Sequence, residues 1–241
     1  MIFMIRAILF DIDDTIYEFL PVHKKALEHV YGKYCKHDHI TLAQFEAEFQ
    51  KSWDEVKVAL HGTAASGNRA IIFQNLVERR FKKFDSDLIT ELYTEYWISF
   101  LENIVLFDGV LDLFAFLRKN NIKIGFITDL TTSVQMKKIS ELGISTYVDA
   151  FVSSEECGEN KPSPKIFRCL LRKLGVSSDE VLMVGDTAIK DIVGAKKLGI
   201  KTIQLLGGAF AKKMSGEAES DHYANEFSEI KELIAGMLNS G

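Results

Sequence analysis

The chain has 241 residues, 47% of them apolar and 26% charged, with only 3 prolines, which excludes collagen-like, low-complexity and disordered classes. A formal net charge of −5, from 29 basic and 34 acidic residues, supplies no overall basic field for nucleic acid or an anionic membrane. The three cysteines, Cys35, Cys157 and Cys169, are far apart and outside any CxxC spacing, so free thiols in a reducing compartment are expected.

The apolar start has no basic n-region and no small-residue cleavage site, and it runs into aspartates, so a buried strand explains it better than a signal sequence. No run approaches the ~20 apolar residues of a membrane span, and a cytoplasmic location is expected. Residues 6–10 (RAILF) form the first such strand. Further apolar runs come at 122–127 (IKIGFI), 148–152, 181–184 (VLMV) and 202–205. Helical patterns lie between them. Val110, Leu113, Phe114 and Leu117 keep i, i+3, i+4, i+7 spacing, as do Phe167, Leu170, Leu171 and Leu174. Ser163-Pro164 fits an N-cap followed by proline at N1, and Gly143, Gly175 and Gly199 fall where helices should end. This alternation predicts an α/β fold with a Rossmann-like, doubly wound parallel sheet.

Residues 17–106 read differently. They lack strand-like runs and carry four helical stretches, roughly 22–35, 41–60, 68–83 and 87–103, the last with a stripe of Tyr93, Trp97, Phe100 and Leu101. About 90 residues far exceeds a usual crossover. The expected organisation is a core of 1–16 and 107–241 with an inserted α-helical cap domain over 17–106.

Four polar features follow predicted strands, where open α/β sheets bind their ligands. They are Asp11, Asp13 and Thr15 of DIDDT, Thr128-Asp129, Asn160-Lys161-Pro162, and Gly185-Asp186-Thr187 with Asp191 five residues further on. Each alone is explained by helix capping, turns or solvated loops; four in order behind four strands are not.

This set resembles the haloacid dehalogenase-like hydrolase superfamily of Mg²⁺-dependent phosphohydrolases. DIDDT, the helical insertion, ITD, NKPSPKIF and VGDTAIKD together span nearly the whole chain. The insertion's position is similar to the C1-capped subclass that includes phosphoglycolate phosphatase and related sugar-phosphate and nucleotide phosphatases. Asp129 stands where an asparagine is frequent and Thr187 where a serine is frequent.

The resemblance implies hydrolysis of a small-molecule phosphate monoester. Such esters need up to ~25 kcal/mol of barrier reduction, and a carboxylate nucleophile divides the task. Asp11 is expected to attack phosphorus and form an aspartyl-phosphate. Asp13 is expected to protonate the leaving group and then activate water. Mg²⁺ is the implied cofactor, with Asp11, the Asp13 backbone carbonyl and Asp186 as ligands and Asp191 behind them or acting through water. Thr128, Lys161 and backbone N–H groups near 12–13 and 129 are expected on the phosphate oxygens, with Asp129 beside them.

Within the insertion, residues 61–69 (HGTAASGNR) offer His61 and Arg69 as readers of the leaving group, against a plain interhelical loop. Lys36-His37-Asp38-His39 has metal-like composition, but consecutive residues converge poorly on one ion, and Cys157 reads as an ordinary thiol. Asp13 argues against a dehalogenase or a phosphonate hydrolase. A phosphomutase is the alternative, and a catalytically silent binder the distant third. The partner expected is a small phosphate ester, with no nucleic-acid polymer and no membrane, for a monomer or homodimer.

Overall fold

A computed structural model describes residues 4–35, 39–207 and 212–239. Strand β1 (Ala7–Phe10) is followed by four helices, α1 (Phe19–Val30), α2 (Leu42–Ala59), α3 (Arg69–Phe81) and α4 (Ser86–Glu102). The chain then alternates: α5 (Val110–Lys119), β2 (Lys123–Thr128), α6 (Thr132–Glu141), β3 (Ala150–Ser153), α7 (Ser154–Cys157), α8 (Pro164–Leu174) and β4 (Val181–Gly185). A wide turn, Ala188–Ile192, leads into α9 (Val193–Lys196), then β5 (Lys201–Leu205), β6 (His222–Ala224) and α10 (Phe227–Asn239).

The six strands of the described residues form one parallel sheet in the order β3-β2-β1-β4-β5-β6. From β1 the chain builds outward through β2 and β3, then crosses back to lay β4, β5 and β6 on the other side. The order therefore reverses between β1 and β4, which places a crevice beyond their carboxyl ends. The period of two along β1 divides its side chains between two cores. Ala7 and Leu9 pack with Phe167, Leu170 and Leu174 of α8, while the Phe10 ring lies 5.3 Å from Phe114 of α5 and 6.1 Å from Phe126 of β2. Ser163 caps α8 by accepting the Lys165 amide at 3.2 Å, with Pro164 at the first position. The third member of the outer trio, β6, was not anticipated: it has three residues, and His222 and Tyr223 are only half-buried.

Two compact units emerge: Met1–Glu18 with Val105–Gly241, and Phe19–Ile104. The limits lie two residues inside the expected insertion at each end. Tyr17 belongs with the sheet because its hydroxyl donates to Asp13.

Among its described residues, the regular structure of the second unit is helical. Thr41 and Gln44 make a capping box on α2, Asn68 accepts the Ala70 amide on α3, and Asp85 accepts the Leu88 amide on α4. Phe45, Phe49, Phe73, Tyr96 and Phe100 fill its interior. The buried stripe of α4 runs through Leu92, Tyr96, Trp97 and Phe100, with Tyr93 and Leu101 half-exposed beside it. Residues 36–38 of the Lys36-His37-Asp38-His39 run lie outside the described residues.

Candidate active site

The sheet brings the four sequence features together at the carboxyl ends of β1, β2 and β4. Asp11 directly follows β1, and its amide donates to the Val184 carbonyl at 3.0 Å, so the strand pairing fixes its position. Asp186 directly follows β4. The Thr15 hydroxyl ties the two loops, accepting the Asp186 amide at 3.2 Å and donating to its carboxylate at 3.3 Å. Asp191 comes from the wide turn after β4, where both of its oxygens are engaged: Lys161 Nζ at 2.7 Å and the Thr187 amide at 3.0 Å. Gly185 makes room for it. A Cβ there would fall 2.4 Å from Asp191 Oδ2.

Lys161 is the cation at the centre. Its buried ammonium lies 2.7 Å from Asp11 Oδ1 and 2.7 Å from Asp191 Oδ1. Burial alone would favour its neutral form, but Asp11, Asp191 and Asp129 outweigh that and raise its pKa. Asp11, Asp186 and Asp191 are all buried, with one oxygen of each within 4.8 Å of the others. Burial pushes Asp11 up to about 7, opposed by Lys161 and reinforced by the charges of Asp191 and Asp13. Burial, with Asp11 and Asp14, likewise pushes Asp186 up to about 7. Three buried carboxylates against one buried ammonium leave the cluster short of positive charge, and an all-oxygen donor set suits a hard divalent cation such as Mg²⁺. The residues fit that ion.

Asp13 faces a separate set of partners. Its carboxylate accepts from the Tyr17 hydroxyl, from the Lys138 ammonium and, at 2.8 Å, from Gln135 Nε2. Burial opposes ionisation, but the Lys138 charge and these hydrogen bonds outweigh it and hold Asp13 below the usual carboxylate range.

Thr128 ends β2 and is buried, its hydroxyl donating to the Asp129 carbonyl at 3.2 Å. Asp129 is spent on the protein: Oδ1 accepts the Lys161 amide at 2.9 Å and Oδ2 meets Lys190 at 2.9 Å. The asparagine-to-aspartate exchange is thus matched by a lysine. Arg69 lies in the helical unit, buried rather than on an open loop, while His61 is exposed. Burial and the neighbouring Cys169 push the Cys157 thiol up to about 12, which disfavours the reactive thiolate.

Four side chains that hold this constellation escaped the sequence reading: Tyr17, Gln135, Lys138 and Lys190. A signal for two of them exists. On α6, Gln135 and Lys138 are three apart and share the buried face with Ile139, where an apolar pair would be expected.

Comparison with known proteins agrees with the architecture. The family profile "haloacid dehalogenase-like hydrolase" matches residues 5–199. Ribulose-1,5-bisphosphate 5-phosphatase of Halopiger xanaduensis is 30% identical over 242 residues, covering 96% of this chain and all of that one. Glyceraldehyde 3-phosphate phosphatase of Methanocaldococcus jannaschii is 27% identical, covering 97% of this chain and 99% of that one. Among solved structures, a magnesium-bound HAD-hydrolase from Bacillus subtilis shares the fold with a TM-score of 0.74 at 19% identity, over 98% of this chain and 99% of that one. With a parallel sheet that gathers these aspartates and Lys161 behind its strands, and a family profile spanning most of its length, the chain belongs to the haloacid dehalogenase-like hydrolases.

Proposed function

We propose that this protein is a Mg²⁺-dependent phosphatase that hydrolyses a small-molecule phosphate monoester through an aspartyl-phosphate on Asp11. The observation that carries the reading is Asp11 itself, buried at the sheet's switch point, with Lys161 2.7 Å from one oxygen. That contact leaves the second oxygen to attack phosphorus, and Lys161 offsets the negative charge that gathers as phosphate approaches. Asp11 and Asp186 would hold the cation, with the Asp13 carbonyl, and Asp191 would stand behind them through Lys161. When bound, Mg²⁺ supplies charge neutralisation for the two anions that must meet. Thr128 and the amides near 12–13 and 129 are assigned to the phosphate oxygens.

Asp13 is the assigned acid and base. Its three donors hold it ionised, the form that takes a proton from the water hydrolysing the intermediate. Protonation for the first step then relies on the negative charge that substrate phosphate brings. The names of the relatives support sugar phosphates as the substrate class, and Arg69 is the candidate for recognising the part of the substrate beyond the transferred group. Three cysteines outside any CxxC spacing fit a cytoplasmic site of action, and no helix among the described residues is long and apolar enough to cross a membrane.

The test is phosphate release from a panel of sugar phosphates, nucleotides and phosphoglycolate with Mg²⁺, by the wild type and Asp11→Asn. Release that Asp11→Asn abolishes supports the reading. An isomerised phosphate ester in place of free phosphate would make the enzyme a mutase.

A further inference from the structure

Helix α3 carries three arginines whose surroundings differ in kind. Arg79 and Arg80 lie in its last turn, where the helix dipole favours cations, and they meet Glu55 at 3.7 Å and Glu48 at 3.1 Å. Arg69 is the first residue, at the positive end of the dipole, in a first turn without acidic residues. It is 1% exposed, and no carboxylate among the described residues lies within ion-pair distance. Nη1 donates to the Gly67 carbonyl at 2.8 Å, while the buried Nε has no acceptor.

Rings surround the guanidinium instead: Trp53 at 4.0 Å, Tyr96 at 5.4 Å, Phe19 at 5.7 Å and Trp97 at 5.9 Å. Ring faces attract a cation but accept no in-plane N–H hydrogen bonds comparable to those of a carboxylate. The neighbouring titratable group, His23, gives no counter-charge: it bonds Tyr96 at 2.8 Å and is held neutral, by burial first and by Arg69 next. A buried cation with no counter-ion, at the wrong end of a helix and with an idle donor, is an arrangement that one anion would complete.

We propose that Arg69 is an anion site of the helical unit, receiving a carboxylate or phosphoryl group of a ligand on the Nε edge that has no acceptor. A ligand would enter through the turn over residues 61–68, which is exposed or half-exposed and tied by short-range bonds such as Ser66 amide to Thr63 carbonyl at 3.1 Å. Gly67, whose carbonyl is the guanidinium's present acceptor, belongs to that turn. Where the anion belongs to the substrate, a step that rests on the phosphatase reading, the substrate class narrows to phosphate esters with a second anionic group.

The sequence has two tryptophans, Trp53 and Trp97, and both face Arg69, so intrinsic fluorescence reports on this site. The full chain is titrated with malonate, and separately with inorganic phosphate, in EDTA without Mg²⁺. A saturable change in tryptophan emission, lost in Arg69→Met, is expected. Arg69→Lys, which keeps the charge but not the planar fork, should bind about tenfold more weakly. No saturable change in the wild type with either anion overturns the proposal, as does an undiminished response in Arg69→Met. If Arg69→Met does not fold, an unchanged affinity in Arg69→Lys overturns it equally. Anion binding without phosphate release in the panel would leave this site standing and sink the phosphatase reading; release without anion binding would do the reverse.

Discussion

Lys138→Met keeps the length of a fully buried side chain and deletes the ammonium that meets Asp13. Tyr17 and Gln135 still donate to the carboxylate, so the loss is one charge-assisted contact, about 1.5–3 kcal/mol. The Asp13 side chain is 26% exposed, which lets water take up part of the charge and sets the stability cost at the low end of that range. The larger consequence is for its ionisation. Burial raises the Asp13 pKa and Lys138 is the main influence that lowers it, so without Lys138 the carboxyl rises. A higher pKa suits the acid that protonates a leaving group and harms the base that activates water. The second half-reaction should therefore slow by roughly 10- to 100-fold, the kinetic equivalent of that contact, and the acidic limb of the pH profile should move to higher pH. Rapid mixing with p-nitrophenyl phosphate reads this directly: the variant should show a burst of p-nitrophenol followed by a slow steady state. Lys138→Arg should recover part of the rate. Wild-type steady-state turnover and an unmoved pH profile in Lys138→Met would refute the reasoning and make Lys138 a packing residue.

Other consequences are as definite. Gly185→Ala puts a Cβ 2.4 Å from Asp191 Oδ2, so Asp191 must shift and release Lys161; a loss of about 1–3 kcal/mol by thermal melting and a large drop in phosphate release are expected. His23 is pushed down to about 3 by burial, Arg69 and Lys24, against an ordinary value of 6.5. The unfolded chain therefore takes up a proton there that the folded chain refuses, and stability falls as pH drops from about 6.5 towards 3, by of order 1 kcal/mol per pH unit. Denaturant titrations at pH 7 and pH 5 should show a smaller drop in His23→Gln than in the wild type. Mg²⁺ should raise the melting temperature at neutral pH, because it relieves the crowding of Asp11, Asp186 and Asp191; an equal rise in Asp186→Asn would contradict that assignment.

What could be read in the sequence were the places where local rules and function coincide. Short apolar runs ending in Asp11, Thr128-Asp129 and Gly185-Asp186 marked the strands and, with them, the candidate site, because a parallel sheet displays its ligands at strand ends. The Ser163-Pro164 cap marked a helix for the same local reason. The partners of Asp13 were hidden because contact across 122 and 125 positions leaves no local trace. Lys190 carries no local signal, because its role comes only from Asp129, 61 residues away in sequence. Arg69 was visible as a residue, but its burial among aromatic rings from α1, α2 and α4 was not, since that depends on how the helices pack.

The central claim is that phosphate passes through Asp11. In Asp13→Asn the base that hydrolyses the intermediate is gone while the nucleophile remains, so the phosphorylated enzyme should accumulate when the variant is mixed with p-nitrophenyl phosphate and Mg²⁺ and quenched in acid. Mass spectrometry of the digest should place the added phosphoryl group on the peptide containing Asp11, and hydroxylamine should remove it as expected for an acyl phosphate. Release of p-nitrophenol with no phosphorylated peptide, or with the group on any other residue, would contradict the account.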